Sequence, residues 1–435
     1  MATTSDEKLA INGGKPVRTK SLPWELPGAH WIGDEEIQLV NSVIKARSPF
    51  RYYGPDFLGM VNTLEDEFKF KMQRKFALGL ASGTAALNVA FASLGIGPGD
   101  EVLVPGYLWV SCLSAIVRLG AIPRIVDIDD TFCMSPTDLE NKITMHSKAV
   151  LFVNMSGTTG HIDKVVEIAK RKGLKVVVDC AQASGASLHG KPVGSFGDIA
   201  IYSFQLNKNM TCGEGGMLVC DNEHLYKRSF ALHDLGYIRN SKGRLDTTDE
   251  EYQLWGMGCR MSEIAGAMAL AQLRKLDNIT GAMRTAKWKI RRQLSDIKGL
   301  SFRNVLDPEG DSGPFLITVY KNPEICGKFI KALQAEGIKG PEGSLACLQM
   351  EEWGLHWFFN NQSLVHRRST SADGLPWSHP LNSFANGYDY SRKALPNCND
   401  FASRSGILTI ASCLNDEDIN DIVTAFHKVA RQILR

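Results

Sequence analysis

The chain lacks the cysteine pattern of a metal or disulfide protein. Its ten cysteines are scattered, with no CxxC pair and no Cys/His cluster at zinc spacing. They read as small buried hydrophobes in a reducing compartment, so a cytoplasmic location is expected. An excess of charge is missing too. A net charge of +2 leaves no footprint for nucleic acid or an anionic membrane, and neither is expected as a partner. The start, Met1 to Lys8, is polar and has no apolar core of a signal peptide. Internal repeats and low-complexity tracts are absent as well, which argues against a solenoid. One stretch, Phe76 to Gly99, carries no charge and has the length of a membrane span. Gly79, Gly83, Gly95, Gly97, Pro98 and Gly99 cut it into a strand, a turn, a helix and a loop, so a buried piece of a large core is expected instead.

What is present is an ordinary globular composition over 435 residues, too many for one simple core. Three parts are expected: an N-terminal extension (1–30), a large domain (31–290) and a small C-terminal domain (291–435). Helical periodicity covers Asp34 to Arg47, Val61 to Met72, Thr84 to Leu94, Leu108 to Leu119, Lys164 to Lys172 and Met261 to Ile279. Short apolar runs rich in β-branched residues lie at 76–80, 101–104, 122–126, 149–154, 175–179 and 199–204. Strands of this kind alternating with helices predict an α/β fold, a mostly parallel sheet covered on both faces. Past residue 290 the pattern changes to a smaller α+β unit, with a strand at 315–320 and helices at 326–336 and 415–434. Between them, 340–398 is irregular and rich in Trp, His, Asn and Ser, and irregular stretches of that length are usually functional or mobile.

In parallel sheets ligands collect at the carboxyl ends of strands. Four features lie there. Ala81-Ser82-Gly83-Thr84 follows one strand and opens a helix, where free backbone N–H groups favour a phosphate. Trp109 follows a second strand. Asp179 ends a third, ahead of Cys180-Ala181-Gln182. Lys208 is the one charge between Asp198 and Glu214 and follows a fourth. Each has an ordinary reading alone: a helix cap, a core aromatic, a turn former, a surface lysine. Together a phosphate cradle, an aromatic plate, a carboxylate and a lysine are what pyridoxal phosphate requires. The lysine would form a Schiff base, and the carboxylate would keep the pyridine nitrogen protonated.

Ser203-Phe204, Lys208 and Gly213-Glu-Gly-Gly216 resemble the SFxxxK…GEGG signature of the DegT/DnrJ/EryC1/StrS sugar aminotransferases. The likeness extends through Pro105-Gly-Tyr-Leu-Trp109, Gly120-Ala121 to Asp127-Ile-Asp129, and Asp179-Cys-Ala-Gln182. It implies a fold type I transferase, with Lys208 and Asp179 catalytic. It also implies that Gln182 bonds the ring hydroxyl, that Trp109 stacks on the ring, and that Gly83, Thr84 and Ser203 hold the phosphate beside Ser82. A homodimer is implied, with glutamate or glutamine as amino donor. The acceptor would be a keto-sugar-like compound: a nucleotide-linked keto-sugar, a keto-cyclitol or an oxidised octulosonate, in antibiotic or surface-glycan biosynthesis. The family's Gly-Tyr-Asn-Tyr-Arg-like motif reads Gly256-Met-Gly258-Cys-Arg260 here, so Gly258 stands where an Asn would reach the partner's phosphate. Arg260 and His233 are the substrate candidates, while His161 and His189 read as structural. Trp353 to Phe359 is a candidate acceptor pocket. A dehydratase on the same fold would replace the lysine with histidine, and a silent binding protein would not keep Lys208, Asp179 and Gln182 together.

Overall fold

The computed structural model describes residues 8–434. The apolar runs become the strands of one seven-stranded sheet. β1 (Phe76–Leu80), β2 (Glu101–Pro105), β3 (Ile122–Val126), β4 (Ser147–Val153) and β5 (Lys175–Asp179) come first along the chain. A short hairpin of β6 (Ser187–Leu188) and β7 (Lys191–Pro192) stands apart, and β8 (Ile199–Ser203) and β9 (Gly216–Cys220) complete the sheet. The order is β1-β9-β8-β5-β4-β2-β3. β9 runs antiparallel to both β8 and β1, and the other neighbours are parallel. Six strands therefore point their carboxyl ends to one edge, and Ser82, Tyr107, Asp179 and Ser203 lie together along it.

Helices cover both faces, which is why the strands are apolar on both sides. α1 (Asp34–Lys45) packs along α8 and holds the outer layer. α3 (Gly83–Ser93), α4 (Val110–Arg118) and α7 (Glu223–His233) share one apolar cluster with Leu78, Val104, Val177 and Ile201. α2 (Met60–Lys71), α5 (Pro136–Lys142), α6 (Ile162–Arg171) and α8 (Glu263–Gln293) share the other, with Leu103, Val176, Val178 and Tyr202. The uncharged stretch from Phe76 is β1, a turn and α3, and α3 is sandwiched between the sheet and helices α4 and α7. Among the described residues no helix is long and apolar enough to cross a membrane.

A second sheet, of four antiparallel strands, follows in the order β10-β11-β13-β12. It comprises β10 (Ser301–Phe302), β11 (Phe315–Val319), β12 (Cys347–Gln349) and β13 (Ser405–Thr409). α9 (Pro323–Ala335), α12 (Asp416–Ile433) and the second half of α8 close a third core against it.

Three expectations are revised. The long helix, expected over 261–279, runs to Gln293, because its apolar stripe continues through Met283, Ala286 and Ile290 onto the second sheet. β9 and α7 were not expected where they stand. The irregular stretch 340–398 is ordered and holds β12, a short helix α10 (Gln362–Val365) and the start of α11 (Pro396–Arg404).

That stretch straps the large sheet along its β2–β3 side. Phe358 N donates to Gly106 O at 3.0 Å, and Leu108 N to His356 O at 2.9 Å. Further along, Tyr390 Oη donates to Pro123 O at 2.7 Å. Asn397 N and Cys398 N both donate to the Asp127 carboxylate, at 2.8 and 2.9 Å. Gly106 has no room for a side chain, since a Cβ there would meet Leu395 Cδ1 at 2.5 Å and Cys398 Sγ at 2.6 Å. Trp357 and Phe358 are fully buried beneath the strap, each worth about 2–3 kcal/mol by area burial. The strap also occupies the side on which the edge strand β3 would otherwise lie open.

Candidate active site

The phosphate cradle is built by steric exclusion. Ser82 caps α3, its Oγ accepting from Ala85 N at 3.1 Å, so its hydroxyl serves the helix. The N–H groups of Gly83 and Thr84 have no preceding turn to bond and stay available to an anion. A Cβ on Gly83 would lie 2.8 Å from Ser203 Cβ, so only glycine lets the end of β8 bring the Ser203 hydroxyl to this helix start. Gly216 plays the same part from β9. A Cβ there would lie 2.5 Å from the carbonyl carbon and oxygen of Ser82 and 2.7 Å from Gly83 N. Thr84 Oγ1 shares a hydrogen bond of 2.8 Å with Ser111 Oγ. Free donors at a helix N-terminus beside a serine hydroxyl fit a phosphate.

Lys208 sits on the connection between β8 and β9, whose geometry is fixed from several sides. Phe204 N donates to Gly215 O, and Phe204 O accepts from Cys212 N and Thr211 Oγ1. Gly28 N donates to Lys208 O at 3.1 Å, so the segment before α1 pins the lysine's own backbone. The side chain keeps some exposure, yet burial pulls its ammonium below the usual lysine range, with the charge of Asp179 holding it up in part. Asp179 is 4% exposed at the end of β5. Burial raises its carboxyl pKa, opposed by the N–H of Ala181 (2.8 Å), by Cys112 Sγ (3.3 Å) and by the Lys208 charge. Among the described residues no ion pair joins the two, although their charges attract. Cys112 is a contact the sequence analysis missed; it lies one turn into the helix that Trp109 caps, and nothing local distinguishes it.

Trp109 is 42% exposed, unusual for a tryptophan at a strand end and consistent with a plate facing the cleft. His356, delivered by the strap, lies against it with ring centroids 4.8 Å apart. Gln182 is held from two sides: its Oε1 accepts from Ser156 N at 3.0 Å, and its Nε2 faces His356 Nε2 at 3.3 Å. Neither Ser156 nor His356 was singled out from sequence, although the Trp353–Phe359 run containing His356 was. The structure thus brings Ser82, Gly83, Thr84, Trp109, Asp179, Gln182, Ser203 and Lys208 to one cleft.

The two substrate candidates are spent elsewhere. Arg260 Nη1 pairs with Asp234 Oδ1, a fully buried carboxylate that also takes Arg239 Nε at 2.6 Å. His233 is fully buried, with Nδ1 on Phe230 O and Nε2 3.0 Å from Tyr52 Oη. Burial lowers its pKa to about 4. His233 offers no exposed polar edge, whereas the Arg260 side chain stays 24% exposed beside its Asp234 partner. Gly258 has φ +65° with open space around a would-be Cβ, a left-handed position that asparagine tolerates.

The chain is similar to known proteins in sequence and in fold. Residues 31–341 match the model of the DegT/DnrJ/EryC1/StrS aminotransferase family. A Micromonospora echinospora protein named for L-glutamine:3-amino-2,3-dideoxy-scyllo-inosose amino transfer is 34% identical over 272 residues, 62% of each chain. The L-glutamine:scyllo-inosose aminotransferase of Streptomyces griseus is 32% identical over 278 residues, 62% of this chain and 64% of that one. The chain therefore matches less than two thirds of either relative's length. The aminotransferase of Psychrobacter cryohalolentis superposes with a TM-score of 0.77 at 24% identity, covering 96% of this chain and all of that one, a likeness of fold. The fold is that of the type I aminotransferases, and the chain belongs to the DegT/DnrJ/EryC1/StrS aminotransferase family.

Proposed function

We propose that the protein is a pyridoxal-phosphate-dependent aminotransferase that moves the amino group of L-glutamine onto a cyclic ketone of the keto-cyclitol or keto-sugar class. The observation that carries this reading is that Lys208, its pKa lowered by burial, interacts with the buried Asp179 at the sheet edge where the end of β8 brings Ser203 against the start of α3. The donor and the acceptor class follow the names of the two curated relatives.

Gly83, Thr84 and Ser203 would hold the phosphate, Trp109 would cover one face of the ring, and Asp179 would pair with its protonated nitrogen. The bound cofactor supplies an electron sink that makes the carbon bearing the amino group acidic. Lys208 is the amine that would anchor the cofactor at its aldehyde carbon. Freed as an amine, Lys208 would accept the proton from the substrate carbon and give it back on the same face. Burial, which favours the neutral form of Lys208, suits both tasks, since only the free amine attacks a carbonyl or accepts a proton. Asp179, shielded from water, would interact strongly with a protonated ring nitrogen, since little hydration competes there.

The reading includes a cytoplasmic homodimer. Leu235 (51% exposed), Met257 (42%) and Trp255 (94%) present an apolar surface close to the site, of the kind a second copy would cover.

The test is spectroscopic. Protein incubated with pyridoxal phosphate should develop a visible absorption band, lose it with L-glutamine, and recover it with scyllo-inosose. Borohydride should trap the cofactor on Lys208 and leave Lys208→Ala unlabelled. A protein that forms no band, or is labelled equally without Lys208, refutes the proposal.

A further inference from the structure

Gln182 carries an amide whose two ends are nearly the same shape, and what surrounds it decides which end is the donor. On one side stands the backbone N–H of Ser156, which can only donate, so the amide oxygen must face it, at 3.0 Å. On the other side stands His356, whose Nδ1 lies 2.8 Å from Trp353 O. A carbonyl can only accept, so Nδ1 carries the ring proton, and Nε2 is left as an acceptor facing Gln182 Nε2 at 3.3 Å. Both neighbours thus demand the same orientation of the amide.

Each neighbour is itself held by an aromatic of the strap. His356 stacks on Trp353 with centroids 4.1 Å apart and planes within 23°. Ser156 is in the left-handed region at φ +59°, a conformation that costs a serine energy and has to be enforced by its surroundings. Its Oγ shares a 2.8 Å hydrogen bond with Tyr107 Oη, and Tyr107 stacks on Trp357 at 4.4 Å. The imidazole stays neutral near pH 7. Burial lowers its pKa to about 4, partly offset by the bond to Trp353 O, and the Lys208 charge lowers it further.

We propose that His356 is a positioning residue which, as an acceptor at Nε2, fixes Gln182 so that it meets the ring oxygen of bound pyridoxal phosphate as an N–H donor. The inference rests on the functional reading above. A flipped amide would instead bring its carbonyl oxygen to that ring oxygen and repel it. Lys208 is the charged group facing the imidazole, and Trp109 the ring lying against it.

The test is the pH midpoint of the visible band of the cofactor-loaded protein. A donor to the ring oxygen stabilises its anionic form, which lowers the midpoint. Gln182→Ala and His356→Phe should each raise it by about one unit, the effect of one hydrogen bond, with no further shift in the double variant. His356→Gln, whose amide reaches the Nε2 position, should return the midpoint toward wild type. His356→Asn, which reaches only as far as Nδ1, should behave like the phenylalanine variant and serves if that one fails to fold. A wild-type midpoint in both His356→Phe and His356→Asn, additive shifts in the double variant, or no recovery with glutamine overturns the inference. Absence of any band in the wild-type protein would instead refute the functional reading itself.

Discussion

Gly216→Ala is the most direct probe of the cradle, because the obstruction it creates is made entirely of backbone. The new Cβ would sit 2.5 Å from Ser82 C and O, where ordinary contact begins at 3.4 Å, so the chains must part by about 0.9 Å (3.4 − 2.5). Gly216 is paired with Leu80 on one side and Ser203 on the other, so β9 cannot slide away without breaking a ladder. No side chain can swing aside to relieve it. Overpacking of this kind costs about 1–3 kcal/mol, read as a lower urea midpoint of the cofactor-free protein. The displacement falls on the start of α3, so affinity for pyridoxal phosphate should drop by about tenfold or more, the loss of one charge-assisted hydrogen bond. Gly281→Ala is the control. It lies within α8 with no atom inside 4 Å of the new Cβ, and should stabilise by about 0.5–1 kcal/mol. If Gly216→Ala unfolds and binds cofactor like wild type, the steric account of the cradle is wrong.

Three further outcomes follow from the electrostatics. Asp179 holds the Lys208 pKa up, so Asp179→Asn should move the pH midpoint for reductive alkylation of Lys208 in the cofactor-free protein downward; an upward or absent shift contradicts the coupling. His233 titrates near 4 when folded and near 6.5 when unfolded, so the unfolded chain binds the extra proton between those values. Stability should therefore be full above pH 6.5 and fall by about 1.4 kcal/mol per unit as pH drops toward 4, and His233→Asn should flatten that slope in urea titrations. Lys287 pairs with Asp311 in the core, both side chains at most 3% exposed, so Asp311→Ala should cost about 3–5 kcal/mol by stranding the ammonium, while Lys287→Met with Asp311→Leu should cost much less.

The sheet was legible wherever an apolar run was bounded by turn residues. Phe76–Leu80, Ile122–Val126 and Lys175–Asp179 begin and end where the pattern predicts. The cradle, Trp109, Asp179 and Lys208 were legible because each sits at such a strand end. β9 escaped although Gly216–Cys220 lies between a glycine turn and Asp221-Asn222, and its antiparallel return is a tertiary choice. The far half of α8 escaped because a charge interrupts its apolar stripe at Lys287, and only the folded chain supplies Asp311 to bury it. His233 looked available in one dimension, but Tyr52 and Phe230 engage both its ring nitrogens in three, and Arg260 gains the buried partner Asp234. Ser156 carried no local signal, and His356 was visible only as part of the Trp353–Phe359 run, since its partner Gln182 is distant in sequence.

The strap has a consequence for how the protein is made. Lys208, Asp179 and the α3 turn leave the ribosome long before Trp353, His356 and Trp357 are translated. Gln182 therefore has no partner on the His356 side until the last third of the polypeptide has been made. The order of synthesis thus leaves the setting of the amide to a late event, when the last third of the polypeptide folds back across the β2–β3 side and brings His356 to Gln182.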